Sequence, residues 1–234
     1  MKVHPIRKSP RGFSLIELLI TIAVIAILAA ILIPVVQGIM ARSRETTCAA
    51  NLRALSGSLQ LFCADNEGRL PVGYEINNNG PTNNWWYRTS QYTDKPMAMS
   101  WSEGANCIKN VMLEQPFNCP DVSAPYPSKY AFNGWVSYKM NVQVRLRNSG
   151  TALNVTQGLH MARIPNPARF ILVSEGRVTP EFDTYRTEGN AAWNLEYRHD
   201  GRANALFADG HVSSFTEDEM AGGAWADYCI LPPE

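Results

Sequence analysis

The chain has no C-x-x-C pair among its five cysteines, Cys48, Cys63, Cys107, Cys119 and Cys229. A zinc ribbon and a thioredoxin-type redox motif are therefore not expected. It has no G-x-x-x-x-G-K-[ST] loop, no G-x-S-x-G elbow and no H-E-x-x-H helix. A motor ATPase, an α/β-hydrolase and a zincin thus lose their usual signatures, and no enzyme is expected. Its formal net charge is zero and its aromatic share is 10%. No basic footprint for nucleic acid is present, and disorder is not suggested. The odd cysteine count leaves at least one thiol unpaired within a chain.

What the chain does have is a long apolar run near its start. In residues 18–36, Thr21 is the one polar side chain, and Pro34 lies within the run. About twenty such residues span a ~30 Å hydrocarbon core, so a transmembrane helix is predicted over residues 13–36. Lys2, Arg7, Lys8 and Arg11 precede the run, and few unbalanced cations follow it closely. The charge asymmetry predicts a single pass in the cytoplasmic (inner) membrane, with the N-terminus cytoplasmic and the bulk of the chain outside. A cleaved signal peptide is the competing reading, with "LAA" at residues 28–30 as a mimic of its cleavage site. Its apolar region, however, is normally 7–15 residues.

Glu17 is the anomaly, a carboxylate at the mouth of this run. An ionised group at the centre of a bilayer costs about 2.5–3.5 kcal/mol even on the lenient insertion scale. Cleavage between Gly12 and Phe13 would free an α-amino group and make Glu17 the fifth residue of the mature chain. The two charges then meet within one chain or between stacked chains, and both arrangements remain open. A side chain that snorkels to the headgroups is the simpler account of the same residue.

The helical pattern continues beyond Val36. Cys48, Leu52, Leu55, Leu59 and Phe62 recur at spacings of four and three, an amphipathic stripe that packs on a globular head. Gly68 and Pro71 supply stop signals, so one helix is expected from about Ser14 to about Asn66, roughly 80 Å at 1.5 Å per residue. Pro34 and Gly38 are candidate kink sites. Cys48 and Cys63 stand too far apart along such a helix, roughly 22 Å, to bond each other. Cys107 and Cys119 are near in sequence and are the candidate disulfide, with free thiols or another connectivity as alternatives.

The remainder reads as loops followed by strands. "NNNGPTNN" at residues 77–84 is a loop by composition. Trp85, Trp86 and Trp101 are expected as core or loop anchors, with a sugar-stacking platform as the alternative. Strands are expected over residues 136–140, 142–146 and 170–174. Residues 204–208 and 211–215 are expected to form a hairpin turning at Asp209-Gly210. "TEDE" at residues 216–219 matches a capping box that starts a short helix. The predicted fold class is α+β, a long N-terminal helix packed on an antiparallel sheet.

One cluster carries candidate chemistry. "RHDGRANALFADGHVSSF" at residues 198–215 holds His199, Asp209 and His211, a potential divalent-metal set; no cofactor is expected, with calcium as the alternative. The bland reading is equally concrete: Asp200-Gly201 and Asp209-Gly210 are turn dipeptides, and the histidines bond backbone.

The leader ending in Gly12, followed by "FSLIE" at residues 13–17 and the Pro34-containing apolar helix, resembles the type IV prepilin and type II secretion pseudopilin family. The resemblance implies a prepilin peptidase and methyltransferase that cuts after Gly12 and N-methylates Phe13. It assigns Glu17, and with it the Pro34 helix, to subunit assembly. His199, nine residues, then Asp209-Gly210 is similar to the H-X9-DG (DUF1559-like) subgroup of prepilin-like proteins. "CAANLRALSGSLQLFCADNEGRLP" (48–71), "FNCP" (117–120), "SYKMN" (137–141) and "FILVSEG" (170–176) resemble its landmarks. Glu175, where an aspartate is expected, departs from it, as do the extra Cys63 and Cys229.

The implied organisation is a leader over residues 1–12, a membrane helix over 13–36, its amphipathic continuation over 37–67, and a head over 68–234 with the H-X9-DG segment at 199–210. The implied partners are the prepilin peptidase, other pilin-like subunits, inner-membrane assembly machinery and membrane lipid. The alternative from another class is a membrane-tethered module that binds carbohydrate or calcium without assembling.

Overall fold

The computed structural model describes residues 13–71, 85–94, 96, 116–121, 138–141, 158–176, 181–182 and 195–220. Gly12, Trp101, Cys107, Cys229 and the strand expected over residues 142–146 lie outside the described residues. The chain divides into two compact units, Met1–Arg42 and Ser43–Glu234.

Helix α1, Leu15–Asp65, is a single element of 51 residues, and Pro34 lies inside it without ending it. In the first unit every large apolar side chain from Phe13 to Met40 is exposed, Val36 least of them at 41%. A helix apolar on all sides has no stripe to present to its own chain and must be buried by something else. It is long and apolar enough to cross a membrane.

In the second unit the helix behaves differently. Cys48, Leu52, Leu55, Leu59 and Phe62, the stripe read from the spacing, are all buried. The helix ends in a Schellman arrangement: the Gly68 amide donates to the Cys63 carbonyl at 2.8 Å, with Glu67 at φ 55° and Gly68 at φ 76°. The left-handed cap position is thus held by Glu67, and glycine follows it. A side chain at Gly68 would also meet the His160 ring, 2.8 Å from a Cβ built there.

A short helix α2, Trp85–Ser90, buries Trp85 and Trp86, as expected of anchors. The strands are β1 (Tyr138–Asn141), β2 (Ile171–Glu175), β3 (Glu181–Phe182), β4 (Arg202–Phe207) and β5 (Val212–Thr216), followed by helix α3 (Glu217–Met220). They form one sheet in the order β3-β1-β2-β4-β5. Pairings β1·β2, β2·β4 and β4·β5 are antiparallel as predicted, while the two-residue β3 joins the edge parallel to β1.

The sheet is apolar on both faces. On one face Leu172 and Leu206 join Cys48, Leu52, Leu55 and Leu59 of α1 in the main core. On the other, Ala203, Ala205 and Phe207 of β4 pack with Ile171, Leu195, Phe215 and Met220. The alternation along β4 is the period of two that a pleated strand imposes. The anticipated capping box is present in full: the Glu219 amide donates to Thr216 Oγ1 at 3.2 Å and the Thr216 amide to Glu219 Oε2 at 2.7 Å.

Candidate functional site

The N-terminal site begins with a detail that the spacing of apolar residues did not reveal. Ser14 and Glu17 form a capping box at the start of α1. The Ser14 amide donates to Glu17 Oε2 at 2.9 Å, and the Ile16 amide donates to Ser14 Oγ at 3.4 Å. The S-x-x-E signature was there to be read. Glu17 thereby satisfies a helix-start amide while remaining exposed. Its carboxyl lies against the amide that links Phe13 to Ser14, one residue from the atom that would become an amine on cleavage before Phe13. Thr21, the other polar group of the run, returns its hydroxyl to the Leu18 carbonyl at 2.7 Å.

A family model described as the prokaryotic N-terminal methylation motif matches residues 7–33. The chain is similar in part to type IV pilins. It is 40% identical over 76 residues to the type IV major pilin protein PilA of Myxococcus xanthus (strain DK1622), covering 32% of this chain and 34% of that protein. It is 44% identical over 62 residues to a type IV major alpha-pilin of Moraxella bovis, covering 26% and 38%. The match thus spans somewhat over a third of each pilin at most. No solved structure matches the chain.

The prepilin-like N-terminus leaves the second candidate site, the His199 region, to be judged on geometry. The sequence set His199, Asp209 and His211 does not assemble. His199 precedes β4, and Asp209 and His211 follow it, so a six-residue strand, roughly 20 Å, stands between them. The Asp-Gly turns at either end account for both placements. Asp200 and Gly201, at φ 52° and 77°, form the two-residue hairpin turn in which His199 and Arg202 exchange both backbone hydrogen bonds at 3.0 Å. Asp209 and Gly210 turn the β4-β5 hairpin, with Gly210 at φ 93°. There Asp209 Oδ1 accepts from the His211 amide at 3.0 Å and lies 2.6 Å from His211 Nδ1, while the His211 ring stacks on Phe207. This second pair is exposed and local.

His199 instead enters a buried polar network. Its Nε2 lies 2.8 Å from Glu175 Oε1 and its Nδ1 lies 3.1 Å from Asp121 Oδ2. Asp121 Oδ1 in turn accepts from Arg44 Nε at 2.7 Å. Glu175, fully buried, also accepts from the Asn204 amide at 2.9 Å and from Asn204 Nδ2 at 3.1 Å. Burial disfavours a charged imidazole. The Glu175 hydrogen bond and charge, with Asp121 and Glu45 adding to them, outweigh it and hold the His199 pKa above its ordinary value. Burial, with the Glu175 charge second, pushes the Tyr138 phenol far up.

Against this network lies a disulfide. Cys48 of α1 bonds Cys119, with Cα atoms 5.1 Å apart. The expected Cys107–Cys119 pair is therefore corrected. Nearness in sequence suggested Cys107, but burial of the helix stripe places Cys48 against the 116–121 turn. Asn51, one residue short of the next turn of the helix, fixes that approach by donating to the Asn118 carbonyl at 2.7 Å. Cys63 is free and buried, and burial pushes its thiol up to about 11. Glu175, noted in the sequence as a departure, is the buried acid that the network is built around. Arg44 and Asp121 carried no sequence signal.

Proposed function

We propose that the chain is a structural pilin-like subunit, cleaved between Gly12 and Phe13, N-methylated at Phe13 and assembled into a type IV pilus or a type II secretion-type filament. The observation that carries this reading is the start of α1. An all-round apolar helix opens on a capping box whose carboxyl, Glu17, already lies beside the Phe13–Ser14 link. Freeing an amine there gives a carboxyl and a cation within reach of each other in a medium where neither is tolerated alone. In this reading the cation is supplied intramolecularly first and is then available to a neighbouring subunit's Glu17 during stacking.

The remaining assignments follow from the same reading. Residues 1–12 are the leader, 13–36 the membrane helix, 37–67 its continuation and 68–234 the head. The N-terminus is cytoplasmic, the single pass lies in the inner membrane, and the head is outside. The partners are a prepilin peptidase and methyltransferase, other pilin-like subunits, the inner-membrane assembly machinery and lipid. The chain is a substrate of that peptidase and not itself an enzyme, and its disulfide-bonded head has no cofactor. The finer H-X9-DG subgroup rests on the His199 and Asp209-Gly210 turns that bracket β4. A tethered carbohydrate-binding module is less favoured, because Trp85 and Trp86 are buried rather than presented as a platform.

Intact mass and N-terminal sequencing of membrane-extracted protein test the proposal. A mature chain starting at N-methylated Phe13 is expected; a chain retaining residues 1–12, or beginning beyond Ala30, overturns it. Glu17→Val is expected to abolish filament incorporation while leaving head stability unchanged. Melting of the head in calcium against magnesium tests the Asp209–His211 turn, where no selective rise is expected.

A further inference from the structure

The disulfide, His199 and Glu175 meet at one buried point. One ligand atom from each of Cys48, Cys119, Glu175 and His199 falls within a cluster no wider than 4.8 Å, and all four residues are buried. Zinc bonds of ~2.3 Å to sulfur and ~2.0–2.2 Å to nitrogen and oxygen give a tetrahedron whose edges are roughly 3.3–3.8 Å. Cys119 Sγ is 3.7 Å from His199 Nε2, and His199 Nε2 is 2.8 Å from Glu175 Oε1. The sulfur–nitrogen edge is thus already at its required length, the nitrogen–oxygen edge has to open by roughly 0.5 Å, and the principal movement needed is separation of the two sulfurs.

The geometry points to a second state of this cluster: with the Cys48–Cys119 bond reduced, the two cysteines, His199 and Glu175 form a closed four-ligand site for a zinc-like divalent cation. The inference does not rest on filament assembly. The outer contacts are those that such a site requires. A metal-bound imidazole presents one nitrogen to the metal and gives the other to a carboxylate, which fixes its orientation. Here Nε2 faces the sulfurs and Nδ1 faces Asp121, itself held by Arg44. Asn204 steadies the Glu175 carboxyl through its amide and side chain.

The donor set selects the cation. Two thiolates with an imidazole suit zinc and cobalt and disfavour calcium and magnesium, which take oxygen. Two thiolates also offset the double positive charge in a place that excludes water. A small dithiol supplies the electrons for the change of state. Its oxidation to a disulfide breaks the Cys48–Cys119 bond and leaves a proton on each sulfur. The cation then displaces both protons to solvent; exchange of the two thiolates with a small disulfide, which leaves as two thiolates, re-forms the Cys48–Cys119 bond and releases the cation. The site thus substitutes a coordinate link between α1 and the 116–121 turn for the covalent one.

The test is cobalt(II) titration of the full-length chain in detergent, reduced with a phosphine and desalted without air, beside the oxidised chain. Expected are one cobalt per reduced chain, with tetrahedral d–d bands and a thiolate charge-transfer band that zinc abolishes, and neither band in the oxidised chain. Both bands are expected to survive Cys63→Ser, Cys107→Ser and Cys229→Ser combined, and to be lost in Cys48→Ser and Cys119→Ser. Asp121→Asn, which alters only the outer contact, is expected to weaken binding about tenfold. Absence of the bands in the reduced wild-type chain overturns the inference. So do bands that persist without Cys48 and Cys119, or bands that need the cysteines but are unchanged by His199→Gln and Glu175→Gln. The last two variants retain all five cysteines, so they decide the matter even where the cysteine variants fail to fold.

Discussion

The two halves of α1 share a backbone and a rich supply of aliphatic side chains, yet they are addressed to different partners. From Phe13 to Met40 the apolar residues lie on every side and all are exposed. From Cys48 to Cys63 the large apolar residues other than the exposed Leu61 occupy one stripe, and that stripe is buried against the chain's own sheet and loops. Hydrophobic content alone therefore does not say what a helix packs on. Its angular distribution does, because a stripe can be covered by one neighbour and a full cylinder cannot.

The comparison can be broken most forcefully at the disulfide. Cys48→Ser with Cys119→Ser opens a loop whose ends are 71 residues apart. By chain entropy this costs the head about 4 kcal/mol, read by denaturant unfolding of the full chain with a chelator present. A symmetrical pair of truncations sharpens it next. Leu55→Ala, in the buried half, is expected to cost about 3 kcal/mol of head stability. Leu32→Ala, the same chemistry in the exposed half, is expected to stay within ~0.5 kcal/mol. Equal effects from the two would show that the halves are not independent in this sense.

Smaller effects test the edges of the buried half. Burial holds the Cys63 thiol at about 11, so at pH 8 about one molecule in a thousand carries the thiolate. Mass spectrometry after brief alkylation should find Cys63 labelled only when the chain has been denatured first. The smallest effect belongs to Asp209, in the β4-β5 turn. Its partial burial alone would raise its pKa, but the His211 amide and ring hold it below the ordinary carboxylate value. A group depressed in this way stabilises the fold above its unfolded pKa and loses that contribution as pH falls through the folded one. Asp209→Asn should thus cost a few tenths of a kcal/mol at pH 7, allowing for its exposure, and nothing at strongly acidic pH.

Local signals carried most of the fold. The four-and-three spacing of Cys48, Leu52, Leu55, Leu59 and Phe62 located the buried face of α1. Asp209-Gly210 located the β4-β5 turn, and Thr216 to Glu219 located α3. Each is a property of a few neighbouring residues. The failures were of two kinds. The Cys48–Cys119 bond and the Glu175–His199–Asp121–Arg44 chain join residues separated by 24 to 78 positions. Such approaches are settled by tertiary packing, so spacing suggested Cys107 instead. His199, Asp209 and His211 looked like one set because they are near in sequence, but a strand between two turns carries its ends apart. The Ser14–Glu17 capping box was legible throughout, although the oddity of an acid beside an apolar run drew attention to the charge of Glu17 rather than to its backbone bond.

The Cys48–Cys119 bridge also decides where tension goes. A pull along α1 reaches Cys48 before it reaches Leu52, Leu55 or Leu59. Part of the load then crosses a covalent link into the 116–121 turn rather than passing through side-chain packing alone. A chain pulled by this helix is thus held at Cys48 by a covalent bond as well as by packing.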